Sequence, residues 1–290
     1  MTLVTALELY PVLYIVLVTV TGLAVGSFVN VVIHRLPKMM FADWREQCCD
    51  LLELENKDQE SAISLCFPRS ACPHCGHRIR AIENIPVLSY LILKGRCASC
   101  SERISPRYPV IECICALLAI AAAWKFGVSL NAVLAMLLSW SLVCITVIDL
   151  DHKLIPDDIT LPFLWLGIIA NMFGLFTDIY SSLLGAIIGY LSFWSIYILF
   201  KITTGKEGMG HGDFKLLAML GAWLGWQQLP LIIILSSFVG AVVGITLLVF
   251  TGHKRSTPIP FGPYIATAGW IALIWGHEIT RQYLLWSRPL

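Results

Sequence analysis

The sequence has little charge: Asp, Glu, Lys and Arg make up 13% of its 290 residues, and 57% are hydrophobic. A soluble globular domain carries roughly 25% charged residues, so most of this chain's surface faces something other than water. The chain is too apolar to be disordered and too long to be one anchored helix. A net charge of +1 gives no reason to expect a nucleic-acid partner. The composition therefore predicts an all-α polytopic membrane protein.

The sequence also lacks nucleotide-binding motifs, internal repeats and the pattern of a secretory signal. No G-x-G-x-x-G or P-loop pattern lies between a strand and a helix, and the sequence shows no internal repeat. No Lys or Arg precedes the first apolar run, at about residues 10–33. A secretory signal has basic residues before a shorter apolar core, so we expect this run to be a retained transmembrane helix. The basic residues that follow it, Arg35 and Lys38, place its start outside the cytoplasm.

Seven further apolar runs predict helices near 108–126, 129–149, 158–176, 179–200, 213–227, 229–251 and 262–284, which makes about eight transmembrane helices in all. The run 213–227 would span only about 20 Å of a core of about 30 Å, so a re-entrant segment is an alternative. With eight crossings, 17 of the 20 Lys and Arg residues lie on the cytoplasmic side. The short loops agree with this orientation through Lys153, Lys201, Lys206, Lys254 and Arg255.

This topology predicts three parts. Residues 1–33 form the first transmembrane helix, residues 34–107 a small cytoplasmic domain between helices 1 and 2, and residues 108–290 a membrane domain. The cytoplasmic segment holds two C-x-x-C pairs, formed by Cys72, Cys75, Cys97 and Cys100. Two such knuckles suit a tetrahedral Zn²⁺ site, and four thiolates leave no open position, so we expect structural zinc. Free thiols or a redox pair are the alternatives, and residues 39–69 match no pattern that indicates a function.

Two acids stand out by position. Asp149 ends one apolar run and Asp213 begins another, 64 residues later. Charged side chains are costly in membrane helices, and the topology places both acids at the same membrane face, where they can meet. Two adjacent carboxyl groups share a proton, so that one activates water and the other protonates the carbonyl oxygen and the leaving amine. The pair predicts aspartic-protease chemistry, although each Asp could instead be a helix cap or an interfacial group.

Residues beside the two acids are candidates for supporting roles: Gly210, Gly212, Asp151 and Lys215. The glycines would allow an extended peptide to approach the backbone closely. Glu112 lies near a helix end, where we expect it to snorkel or to pair.

These residues carry a resemblance. Residues 210–213, Gly-His-Gly-Asp, match the G-x-G-D signature of membrane aspartic proteases. Residues 26–37, 148–157 and 208–215 resemble, in order, the motifs of the bacterial type IV prepilin peptidase family. The resemblance implies that Asp149 and Asp213 are the catalytic pair. It also implies cleavage after a glycine that ends a short basic leader on type IV prepilins and type II secretion pseudopilins, at the cytoplasmic face of the bacterial inner membrane.

Members of this family with a tetracysteine loop are typically also N-methyltransferases that use S-adenosylmethionine. The resemblance implies the same second activity here and makes Gly95 a methyl-transfer candidate; alternatively, Gly95 only turns the chain into the second knuckle. Two other functions stay open. One is an ion-coupled transporter in which the acids relay protons or cations and the cysteine loop senses metal, although the acids lie at one face and no inverted repeat is seen. The other is a non-catalytic assembly scaffold.

Overall fold

The computed structural model describes residues 3–54, 64–250 and 259–286, and over these ranges the regular elements are helices. The chain forms two compact units, Met1–Ala132 and Val133–Leu290. The all-helical prediction is therefore confirmed over the described residues. Lys254 and Arg255, which the sequence assigns to a cytoplasmic loop, lie outside them.

The first unit is built on two long helices. Its elements are α1 (Leu3–Leu9), α2 (Pro11–Leu51), a 3-10 turn (Ala81–Asn84), α3 (Leu88–Ile92) and α4 (Arg107–Phe126). α2 and α4 pack together. A Cβ at Gly22 or Gly26 of α2 would lie 2.7 Å from the Cα of Ala116 or Glu112 of α4. Glycine at both positions therefore lets the two helix backbones come into contact.

α2 is longer than the sequence predicts. The helix continues beyond the apolar run at residues 10–33, through Pro37 to Leu51, and a membrane part that ends near residue 33 stays a prediction. Its 41 residues would measure about 60 Å, twice the thickness of a bilayer core. The basic residues after position 33 indicate where α2 leaves the membrane, and most of the residues that follow are compatible with a helix. The change in polarity therefore marks a change of surroundings and not the end of the helix.

The second unit is a helical bundle. Its elements are α5 (Leu130–His152, which begins at the boundary of the first unit), α6 (Asp157–Met172), α7 (Ile179–Thr204), α8 (His211–Leu224), a 3-10 turn (Trp226–Gln228), α9 (Leu229–Phe250) and α10 (Gly262–Trp286). α8 packs against α6, α7 and α10, and nearly all of its side chains are buried. The functional candidates of this unit lie at the beginning of α8.

α8 ends inside the unit, where side chains of other helices pair with its last carbonyls. Its 14 residues span only about 21 Å. Asn171 of α6 donates through Nδ2 to the carbonyl oxygens of Ala222 and Trp223, at 2.8 and 3.0 Å, and Ser182 of α7 donates to Ala222 at 2.6 Å. A helix can end at membrane depth when neighbouring protein groups pair with its last carbonyls. The pairing of these carbonyls inside the unit explains why the predicted run at 213–227 is so short.

Five stretches within the described ranges are long and apolar enough to cross a membrane: α2, α4, α5, α7 and Trp226–Leu247. α6 and α8 have only 16 and 14 residues, while α10 is long but is not one of the five. The described chain is therefore a helical protein with several candidate spans, and a count of eight crossings stays a prediction.

Candidate active site and cysteine cluster

The structure brings the two singled-out acids together in the second unit. Asp149 lies in the last turn of α5 and Asp213 in the first turn of α8. Both side chains are buried, with 4% and 7% of their surface exposed. The charge of Asp149 acts on the carboxyl group of Asp213. A buried pair of interacting carboxyl groups can hold one proton between them and bind a water molecule.

The backbone at the start of α10 contacts this pair. The N–H of Gly262 donates to Oδ2 of Asp149 at 2.9 Å. A Cβ at Gly262 would lie 2.6 Å from the same oxygen, so the carboxyl group occupies the space that any other residue would need. The sequence predictions did not include Gly262. One local signal for it exists: Gly262 stands directly before Pro263, at the start of a predicted helix.

A buried isoleucine separates the beginnings of α8 and α10. A Cβ at Gly212, next to Asp213, would lie 2.7 Å from the Cβ of Ile155, and a Cβ at Gly262 would lie 3.1 Å from its Cδ1. Ile155 therefore sets the spacing between the backbone that carries Asp213 and the backbone that contacts Asp149. No sequence signal distinguishes this residue, because an isoleucine between Leu154 and Pro156 resembles any other buried apolar side chain.

The predicted supporting residues differ in how they relate to the two acids. A Cβ at Gly210 would be 3.6 Å from Oδ2 of Asp213, an ordinary contact, so the carboxyl group does not require glycine there. Lys215 donates to Oδ2 of Asp157 at 2.6 Å, which joins α8 to the first turn of α6. Asp157 also lies where the dipole of α6 favours a negative charge. The side chain of Asp151 is exposed.

The four cysteines of the first unit form a cluster. Their Sγ atoms all lie within 4.8 Å of one another. Sγ of Cys72 is 3.8 Å from that of Cys100, and Sγ of Cys75 is 3.9 Å from that of Cys97. Four sulfurs at 2.3 Å from a tetrahedral Zn²⁺ would be about 3.8 Å apart. The donor set and its spacing therefore fit a tetrahedral metal ion.

The two knuckles repeat one hydrogen-bond pattern at an offset of 25 residues, from Cys72 to Cys97. In each knuckle the first cysteine donates to the carbonyl five residues later and accepts from the N–H four residues later: Cys72 with His77 and Gly76, and Cys97 with Glu102 and Ser101. The repeat is short: beyond the two cysteines, the segments share only the Arg-Ile pairs at residues 78–79 and 103–104. The backbone N–H groups of Cys100 and Ser99 lower the pKa of the Cys97 thiol to about 6.

Two side chains of the long helices hold the cysteine segment in place. Arg35 of α2 donates to the carbonyl oxygens of Ser64, Leu65 and Pro68 at 2.6 to 3.3 Å. Glu112 of α4 accepts the N–H of Val87 at 2.7 Å. Glu112 is buried, so of the two alternatives expected for it, snorkelling and pairing, the structure excludes snorkelling.

Val87 has a φ of +59°, which is strained for a β-branched residue. The contact with Glu112 fixes this turn against α4.

Gly95 lies in the turn before the second knuckle. Its φ is +68° and its N–H donates to the carbonyl of Tyr90 at 2.8 Å. A Cβ at Gly95 would lie 2.9 Å from the ring and hydroxyl of Tyr90. The turn alone therefore requires glycine here, and a role in methyl transfer stays a prediction.

Comparisons with known proteins cover nearly the whole chain. Residues 20–126 match the family described as Bacterial Peptidase A24 N-terminal domain, and residues 136–245 match the Type IV leader peptidase family. A relative from Stutzerimonas stutzeri is 55% identical over 96% of both chains, and one from Pseudomonas aeruginosa is 54% identical over 95% of both. A relative from Legionella pneumophila is 43% identical over 95% of this chain and 96% of its own. All three are named prepilin leader peptidase/N-methyltransferase, and no solved structure matches.

The fold and the buried pair define a class: helical proteins with several membrane-length helices that bring two aspartates together beside a G-x-G-D sequence. Within that class, the chain belongs to the type IV leader peptidase family. The family resemblance read from the motifs is thereby confirmed.

Proposed function

We infer that this chain is a prepilin leader peptidase and N-methyltransferase. It removes the basic leader of type IV prepilins and of type II secretion pseudopilins and then methylates the new N-terminal residue. The observation that carries the peptidase assignment is that Asp149 and Asp213 are both buried, and near enough for the charge of one to act on the other, in a chain of this family. The high identity to relatives that carry both activities in their names supports the second activity.

In the proposed reaction the two acids act as a pair. One carboxylate takes a proton from the attacking water, and the other carboxyl group protonates the carbonyl oxygen and later the leaving amine. The N–H of Gly262 donates to Oδ2 of Asp149 and so fixes the orientation of this carboxyl group. Water adds to the peptide carbon to give a tetrahedral diol, and the proton taken from the water passes across the pair to the acid. The C–N bond then breaks as the acid protonates the amine, and one hydroxyl group of the diol returns its proton to the pair.

The reaction takes place at the cytoplasmic face of the bacterial inner membrane, in a chain that crosses it about eight times. The support is the distribution of Lys and Arg, which lie mainly at one side in this topology. A basic leader remains in the cytoplasm while the apolar helix of the substrate lies in the bilayer. Both acids come from the helix ends that this topology places at that face.

The cysteine cluster binds a structural Zn²⁺ that keeps the segment 64–107 folded. Its support is the spacing of the sulfurs, which matches a tetrahedral site. All four positions are filled by protein ligands, so the metal organises the loop. The methyl donor is S-adenosylmethionine and Gly95 is the candidate residue of that step; the support for both is the resemblance to the family and the methyltransferase activity named for the relatives.

The test uses purified full-length protein, a prepilin and S-adenosylmethionine, with the product analysed by mass spectrometry. Asp149→Asn and Asp213→Asn keep the size of the side chains but remove the shared proton, so each should abolish leader removal. Asp158→Asn is the matched control, because Asp158 is an exposed acid at the start of α6. Cleavage by either pair variant at the rate of the control would refute the pair. Ion flux that depends on the two acids, together with normal cleavage by both variants, would favour a transporter.

A further inference from the structure

The segment that precedes the second knuckle exposes large apolar side chains. Ile82, in the 3-10 turn, is 78% exposed, and Leu91 and Ile92 of α3 are 65% and 69% exposed; Leu88 is also exposed. Leu88, Leu91 and Ile92 have the spacing i, i+3, i+4, so they project from one side of α3. We call these four residues the 82–92 apolar face. Water is a poor surrounding for such a face, and no buried residue of α3 compensates for it.

The bond between Glu112 and Val87 sets the level of this face relative to α4. α4 begins at Arg107 and has 20 residues, which is about 30 Å, the thickness of a bilayer core. Glu112 is five residues after Arg107 and therefore lies about 7 Å inside that end of the helix. Val87 is bonded to Glu112 at 2.7 Å, and α3 begins at the next residue. α3 consequently lies at the level of the membrane interface and not far out in water.

The charge around the face is strongly positive. Between residues 64 and 107 there are seven basic residues and two acidic ones. The basic residues are all exposed: Arg69, Arg78, Arg80, Lys94, Arg96, Arg103 and Arg107. A zinc ion on four thiolates would add two negative charges, and the excess would still be positive. Arg80 and Lys94 are close in sequence to the two ends of the face, as in segments that bind anionic lipid surfaces.

We propose that the 82–92 apolar face inserts into the interfacial layer of the leaflet at the Arg107 end of α4, and that the surrounding basic residues bind its anionic headgroups. The occupant of the face is the bilayer, because the face combines a fixed level at the end of a membrane-length helix with positive charge. The insertion holds the cysteine segment against the membrane surface. A prepilin helix could cover the same apolar face, and the experiment distinguishes the two occupants.

The experiment places a photo-reactive p-benzoylphenylalanine in the full-length protein, in nanodiscs that contain phosphatidylethanolamine and phosphatidylglycerol. Leu91→p-benzoylphenylalanine is the main variant, and Ile82→p-benzoylphenylalanine repeats the test outside α3. Glu102→p-benzoylphenylalanine is the control, since Glu102 is an exposed acid in the second knuckle. After illumination, peptides with an attached phospholipid are measured by mass spectrometry. Both test positions should give several-fold more lipid adduct than Glu102, and less adduct in nanodiscs of phosphatidylcholine alone.

Equal lipid adduct at all three positions would overturn the proposal. Cross-links to an added prepilin, with no phospholipid adduct, would also overturn the proposal and would assign the face to the substrate. A yield that does not change when phosphatidylglycerol is absent would refute the part that concerns the basic residues. Leader removal is measured in the same samples, so a loss of peptidase activity is recorded separately from the position of the face.

Discussion

The structure predicts that Gly262→Ala inactivates the peptidase although it adds only one methyl group. That Cβ would lie 2.6 Å from Oδ2 of Asp149 and 3.1 Å from Cδ1 of Ile155. An ordinary contact is 3.4 Å or longer, so the carboxyl group has to move by roughly 1 Å, and a misplacement of that size can cost about 10²-fold in rate. We therefore expect kcat to fall by about 10²-fold, which corresponds to about 2.7 kcal/mol.

The assay is leader removal from a purified prepilin at several substrate concentrations. Because the substitution displaces a reacting group, kcat should fall while KM changes little. The matched control is Gly244→Ala in α9, where the new Cβ would lie 3.6 Å from its nearest neighbour, Cδ1 of Ile259. Alanine is also the better helix former by about 1 kcal/mol, so a loss at Gly262, the first residue of α10, would not come from weaker helix formation.

A second variant separates the two contacts of the new methyl group. Ile155→Val shortens the side chain that the Cβ meets at 3.1 Å but leaves the contact with Asp149. The double variant with Gly262→Ala should therefore stay inactive. Recovery of activity in the double variant would mean that packing against Ile155 causes the loss. Normal kcat in Gly262→Ala itself would show that the backbone contact with Asp149 has no part in positioning it.

Two further predictions concern the first unit. Cys72→Ser should lower the bound zinc and reduce methylation more than leader removal, as measured by metal analysis and product mass; Cys66→Ser, an exposed cysteine outside the cluster, is the control, and an unchanged zinc content would contradict the four-sulfur site. Glu112→Ala should destabilise the first unit by about 1–3 kcal/mol, because the N–H of Val87 loses its acceptor; thermal unfolding against the exposed-acid control Glu46→Ala measures this, and equal stability of the two variants would refute it.

The sequence predicts much of this fold because membrane helices leave a strong signal in composition. Runs of apolar residues located the helices α4 to α10. The prediction failed where the length of a helix differs from the length of its apolar run. α2 continues beyond its apolar part and through Pro37, and residues 38–51 contain no further Pro or Gly. α8 is shorter than a membrane span because α6 and α7 supply donors for its last carbonyls. Those donors come from distant positions, and no local pattern shows them.

Some residues of the candidate site could be predicted from the sequence and others could not. Asp149, Asp213 and the cysteines could be named because their chemistry is unusual in their surroundings. Gly262 and Ile155 could not, since their importance lies in a distance to another element. For Glu112 the sequence left snorkelling and pairing open, and only the fold shows that it accepts a backbone N–H inside the unit.

The aspartate pair depends on backbone approach more than on neighbouring charge. Asp149 is held by a backbone N–H, and the start of α8 is held through the contact of Gly212 with Ile155. The ion pair of Lys215 with Asp157 joins α8 to α6 and is partly exposed. Exposed ion pairs contribute at most about 1 kcal/mol to stability. A methyl group added at Gly262, by contrast, would directly displace an oxygen of Asp149. The residues that fix the geometry of the pair are therefore small or apolar, which is why charge patterns identify the acids but not what positions them.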